Sequence, residues 1–171
     1  MAESTPRDAI ALLKDDHRKV ADLFEQFEKA SGAGRKEKLA QEICLELSVH
    51  ATIEEEIFYP ACEGKVDDDL LKESYVEHDA AKVMIAEISS GAGEADEFFD
   101  AKVKVLQEEI EHHVGEEEKR LEGLFAQARK AGLDMDELGT QLAARKQELT
   151  EVFKANGLPK PVLKTMDEVA V

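Results

Sequence analysis

Glycine and proline are widely spaced along this chain, and the long stretches between them are rich in Ala, Leu, Glu and Lys, the residues that lose least on entering a helix. No run alternates in the period-two manner of a strand, so the expected fold class is all-α. Thr5 as N-cap and Pro6 at the first helical position open a first helix, which Ser31-Gly32-Ala33-Gly34 closes. A second runs from Arg35 to Cys62, stopping near Pro60 and Gly64. The third starts at Asp67-Asp68-Asp69, whose charges suit the positive end of a helix dipole, and ends around Ser89-Ser90-Gly91. The fourth and longest spans Ala95 to Ala131, and a fifth spans Asp134 to Ala155. The tail from Leu158, with Pro159 and Pro161, reads as extended.

Four long helices with short connections, each with one apolar stripe to cover, predict an up-and-down antiparallel four-helix bundle with an additional C-terminal helix. The bundle is assigned to residues 1–132, the C-terminal helix to 133–156 and the tail to 157–171. Met135, Leu138, Leu142, Leu149, Val152 and Phe153 give the fifth helix an apolar face that packs across the bundle or meets a second subunit.

At 171 residues and 43% hydrophobic content the chain can bury one core. The 22 basic and 39 acidic residues leave a formal charge of −17, the wrong sign for a phosphate backbone or an anionic membrane, so nucleic acid is not an expected partner. No apolar run approaches the roughly 18 to 20 residues of a membrane span, and Met1 to Ala9 lacks the pattern of a signal peptide, which makes the cytoplasm the expected location. Cys44 and Cys62, on one helix and roughly 27 Å apart at 1.5 Å per residue, cannot pair.

The stripes contain groups foreign to a core. The first reads Ile10, Leu13, His17, Val20, Phe24, Phe27, and the second Ile43, Leu47, His50, Glu54, Ile57, Ala61. The third reads Leu71, Tyr75, His78, Ala81, Ile85, Ile88, and the fourth Phe99, Val103, Leu106, Ile110, His113, Glu117, Leu121, Leu124. A single inward histidine is usually a satisfied core residue. One on each of four helices is expected by chance only about once in 30 trials, if a stripe takes roughly three positions in seven. Glu54 and Glu117, each one turn after a histidine, are the sharper anomaly, because no Lys or Arg shares their stripes and a buried unpaired carboxylate costs several kcal/mol. The charge must be met by a cation from outside the sequence.

Depth along the bundle gives an independent check. His17 lies 16 residues before Ala33 and His50 lies 17 after it; His50 lies 15 before Lys65 and His78 lies 13 after it. His78 lies 15 before Gly93, and His113, 20 after it, comes level if the loop extends to about Phe98. All four histidines can converge at mid-bundle. Four imidazoles and two carboxylates exceed one tetrahedral zinc and do not suit calcium or magnesium, whereas they match the ligand field of a di-iron or di-manganese centre. Glu55, Glu56, Glu116 and Glu118 are close enough in sequence to offset the remaining charge. His112 shares its face with Glu108, Glu109 and Glu116 and reads as a surface histidine. Glu109-x-x-His112 fits the ferritin-like element, but that architecture needs the element twice and it occurs here once.

His17, His50-Ala-Thr-Ile-Glu54, His78 and His113-Val-Gly-Glu-Glu117 together resemble the hemerythrin-like (HHE cation-binding) family over roughly residues 8 to 131. The resemblance implies a bundle holding two non-haem iron ions in an oxo- or hydroxo-bridged centre, with His17, His50, Glu54, His78, His113 and Glu117 as ligands. It implies a small diatomic or peroxide ligand: dioxygen, hydrogen peroxide or nitric oxide. Two positions depart from the oxygen carriers of the family. Lys82 stands where they have a further histidine, and Glu117 and Glu118 stand where they use an aspartate, which speaks against reversible oxygen carriage. Tyr59, one position off the stripe, is either an extra oxygen ligand or a phenol packed at the end of the second helix.

Overall fold

The computed structural model describes residues 8–32 and 34–167, and among these every regular element is helical. The order is α1 (Ala9–Lys29), α2 (Arg35–Ile53), a π-helical segment (Glu54–Phe58), α3 (Tyr59–Cys62), α4 (Asp68–Ser90), a 3-10 turn (Gly93–Ala95), α5 (Phe99–Glu118), α6 (Leu124–Lys130) and α7 (Met135–Asn156). Helices α1, α2, α4 and α5 form the four-helix bundle, and α7 is the additional helix. Thr5 and Pro6 lie outside the described residues. Within them Asp8 caps α1, its Oδ1 accepting from Ala11 N at 3.0 Å, while the same carboxylate takes both prongs of the Arg129 guanidinium and so ties α1 to α6.

The core is divided in two. One cluster gathers Leu12 and Leu13, Val49 and Ile53, Phe58, Leu71, and Leu124 and Phe125; the other gathers Val20, Phe24 and Phe27, Ile43 and Leu47, Ile85, and Val103 and Leu106. On α1 and α4 the inward histidine falls between the residues of the two clusters, and on α2 His50 lies between Leu47 of one and Ile53 of the other. Each fully buried Leu, Ile or Phe contributes roughly 1.5–3 kcal/mol, so two apolar blocks clamp one polar layer.

Two features depart from the sequence expectation. The second helix is not regular to Cys62: the π segment inserts one extra residue into the turn, so the following side chains rotate by about one position. Phe58, Tyr59 and Cys62 are buried in place of the expected Ile57 and Ala61, which are half-buried. The fourth helix does not continue to Ala131. It ends at Glu118, and Leu121, expected in the core, is 82% exposed in the turn before α6. Gly123 allows that turn, since a Cβ there would stand 2.6 Å from the backbone of Glu117 and Lys119. The fold back carries Phe125 onto the His17 ring, with centroids 5.8 Å apart and planes 10° from parallel. At the other end, the start of α5 at Phe99 agrees with the loop length that levels the histidines.

Helix α7 packs across α1 and α2, burying Met135, Leu142 and Leu149, whereas Val152, expected on its apolar face, is 44% exposed. Its polar edge is fastened by an Arg145 fork on Glu56 at 2.8 and 3.1 Å and by Lys146 on Asp16. The tail runs without helix from Gly157 and is pinned by Asp79, whose buried carboxylate accepts from the backbone N–H of Lys164, Thr165 and Met166 and from the Thr165 hydroxyl. Cys44 and Cys62 are buried free thiols. No helix among the described residues is long and apolar enough to cross a membrane.

Candidate metal centre

His17 comes from α1, His50 from α2, Glu54 from the π segment, His78 from α4, and His113 and Glu117 from α5, and all six are buried in the layer between the two apolar clusters. The structure brings together every residue that the sequence singled out. They divide into two sets. His17 and His50 stand Nε2 to Nε2 at 3.1 Å, and so do His78 and His113. Glu54 spans the two sets, with Oε1 3.2 Å from His50 Nε2 and Oε2 3.2 Å from His78 Nε2. Glu117 does the same, with Oε2 3.3 Å from His17 Nε2 and Oε1 3.4 Å from His113 Nε2.

The outward nitrogens are also engaged. Asp16 Oδ2 lies 3.0 Å from His50 Nδ1, Glu55 Oε1 3.0 Å from His78 Nδ1, Glu77 Oε2 2.5 Å from His113 Nδ1, and Glu118 Oε1 2.7 Å from His17 Nδ1. The pattern is cyclic: each outer acid sits beside an inward residue of its own helix and serves the histidine of the next helix around the bundle. Of the acids that the sequence offered for charge balance, Glu55 and Glu118 take this role, while Glu56 pairs with Arg145 and Glu116 with Lys119 at the surface. Asp16 and Glu77 were not anticipated. The available signal was position, since each directly precedes an inward histidine.

With each Nδ1–H donating to a carboxylate, each Nε2 presents a lone pair inward. The layer then confronts four imidazole lone pairs and four carboxylate oxygens with one inward donor, the Tyr59 hydroxyl. Tyr59 is fully buried, donates to Glu117 Oε1 at 2.7 Å, and lies 3.2 Å from Glu54 Oε2 and 3.1 Å from His78 Nε2. The extra π residue is what turns it inward from its position off the α-helical stripe. Glu54 Oε1 and Glu117 Oε2 are buried and accept no hydrogen bond among the described residues. Acceptors packed this way repel unless cations stand between them. Donors about 2.1 Å from a common ion and at right angles stand roughly 3 Å apart, which is the spacing observed within each set. The residues present fit a metal on each side of the two glutamates.

Protons are the alternative cation. Burial favours the neutral His50 ring, but the Glu54 charge and the Asp16 bond outweigh it and carry its pKa up to about 10. His17 and His113 are raised by the same competition, burial against the charges of Glu117 and its neighbours. Burial alone would raise Glu54 and Glu117, yet the surrounding rings hold both below the usual carboxylate range.

His112 behaves as the sequence reading has it, with its side chain 61% exposed and its Nε2 3.2 Å from Glu77. Lys82 offers nothing to the layer, because its Nζ is held by Glu55, Asp79 and the Val162 carbonyl. Glu109, read as a surface acid beside His112, is a correction: it is half-buried, its Oε2 is buried without a hydrogen-bond partner among the described residues, and burial raises its pKa.

A solved hemerythrin HHE cation-binding domain-containing protein from Mycobacterium kansasii shares the fold, with a TM-score of 0.73 at 19% identity over 89% of this chain and 95% of that one. A curated protein from Nostoc sp. named DNA nickase is 28% identical over 110 residues, which is 64% of this chain; the match spans 31% of that relative's length. The model of the hemerythrin HHE cation-binding domain matches residues 8–125, a stretch that contains both histidine pairs and both spanning glutamates. The chain belongs to the hemerythrin HHE cation-binding domain family.

Proposed function

We propose that His17, His50, Glu54, His78, His113 and Glu117 hold two non-haem iron ions, one against His17 and His50 and one against His78 and His113, and that the protein is a cytoplasmic one that binds or reduces a small oxidant (dioxygen, hydrogen peroxide or nitric oxide) in iron or redox stress. The observation that carries this reading is that each glutamate presents one oxygen to either pair, a bridging arrangement with no use in a plain core. Two irons held by these residues would supply two electrons to a small oxidant.

The chain's own residues do the rest. The ring of outer acids fixes the tautomer and angle of every imidazole, which holds both pairs in place whatever the occupant. Tyr59 lies against the His78 and His113 pair as a further oxygen donor or as a proton on Glu117. The two apolar clusters flank the layer on either side, and the Phe125 ring covers His17.

Anaerobic loading with ferrous iron should saturate at about two irons per chain, and peroxide should then produce ferric near-ultraviolet charge-transfer bands. Saturation at one metal, or selective retention of zinc, counts against the assignment. Multiple turnovers of peroxide would separate this reading from a non-catalytic iron or oxygen sensor. The net charge of −17 argues against nucleic acid as a direct ligand of this chain, although one relative is named DNA nickase; a gel shift with duplex DNA at low salt tests that exclusion.

A further inference from the structure

A cavity of about 450 Å³ opens from the histidine layer between α2 and α4. The histidines form its floor, Leu47, Ala81, Ile85, Ile110 and Val114 are among its walls, and Leu149, Phe153 and the tail from Leu158 to Val162 roof it. A water-sized group takes up about 30 Å³, so dioxygen or peroxide would use a small fraction of this space. The volume falls instead in the range of pockets for small organic molecules.

Two further observations bear on what fits. Glu109, one turn before His113, lines the cavity with a buried Oε2 that has no hydrogen-bond partner among the described residues. A carboxyl with a free oxygen at an apolar wall offers one polar contact, and a hydroxyl can meet it whichever partner carries the proton. The roof over it is the chain's own tail. It is fastened by polar contacts, Asp79 on the amides of residues 164–166 and Lys82 on the Val162 carbonyl at 3.0 Å, while Pro159 and Lys160 are exposed and Val162 is 74% exposed. Leu158 adds an apolar hold, packed against the cluster of Val20, Phe24 and Phe27.

We propose that this cavity binds an apolar small molecule of roughly ten non-hydrogen atoms with a single uncharged oxygen end, that end meeting Glu109 and the body lying under the tail. The site stands apart from the metal reading, since walls, roof and Glu109 belong to the chain whichever cation fills the layer.

Calorimetric titration of the full-length protein with 1-octanol tests the proposal, with metal content measured on the same sample. One octanol per chain is expected, with a heat that grows more favourable on warming. Ala86→Phe on α4 and Ser48→Leu on α2 fill the cavity from opposite walls and should each weaken binding about tenfold or more, with melting temperatures near the parent's. Glu109→Leu should weaken octanol several-fold. Octanoate should bind less well than octanol; the reverse would move the polar end to Lys160 at the rim and overturn the assigned orientation. Absence of saturable octanol binding, or folded Ala86→Phe and Ser48→Leu proteins that bind like the parent, would overturn the site itself. Octanol binding in a sample that takes up no iron would sink the metal reading and leave this one standing.

Discussion

The four histidines and two glutamates were legible because each interrupts an apolar row at helical spacing, a signal that lies within one helix. Asp16 and Glu77 were not, because each serves a ring on the next helix, 34 and 36 residues away in the chain. Their roles predict different outcomes from similar-looking substitutions. His113→Ala should abolish one metal position, while His112→Ala, at an exposed ring, should leave metal content nearly unchanged; the reverse would mean that α5 is rotated by one residue. Asp16→Ala removes the partner of His50 Nδ1 without touching an inward atom, and should weaken metal affinity by about 10- to 100-fold. Competition with a chromophoric chelator reads this directly, and an unchanged affinity would mean that the outer acids do not orient the imidazoles for metal.

Among the elements, the π segment was invisible in the sequence. An extra residue in a helical turn leaves the composition and hydrophobicity of the stretch unaltered, and only its consequence, Tyr59 and Phe58 inward instead of Ile57, reveals it. The break after Glu118 carries one sequence signal, Gly123, while Leu121 and Leu124 on either side of it fit a continuous helical stripe. The π segment gives a comparison between two changes at one surface position. Glu56→Ala loses the Arg145 fork, worth at most about 1 kcal/mol at a half-exposed site. Deleting Glu56 also takes out the extra residue and leaves Tyr59 four residues after Glu54, on the α-helical stripe, so Tyr59 and Phe58 should stay inward and the cost should be close to that of Glu56→Ala. Chemical denaturation of both variants checks it. A deletion variant several kcal/mol less stable than Glu56→Ala would show that the wide turn itself, and not the face on which Tyr59 falls, holds the tyrosine inward.

At the scale of the whole molecule, the bundle was predictable because four amphipathic helices with short connections have few other ways to cover their stripes, and the fifth helix was left open because an apolar face does not name its partner. The polar layer then ties folding to pH and to metal. In the metal-free protein His50, with its pKa carried from 6.5 to about 10, and His17 and His113, also raised, stabilise the fold most fully below about pH 6.5. That contribution is lost as pH rises through the folded-state values. Glu54 and Glu117, both lowered from 4.5, act with the opposite sign: their contribution is present above that pH and is lost as pH falls through their depressed values. The metal-free chain should therefore be most stable between the two limits, in mildly acidic solution. Bound metal ions replace the protons and do not titrate off as pH rises, and loading should release protons at neutral pH. The gap in melting temperature between loaded and metal-free protein should accordingly widen from about pH 6 to about pH 9, reaching some 10 °C for a difference of several kcal/mol. Melts of both forms across that range decide the matter, and a gap that stays constant or narrows would mean that the layer is neutralised by something other than the protons and metals assigned to it.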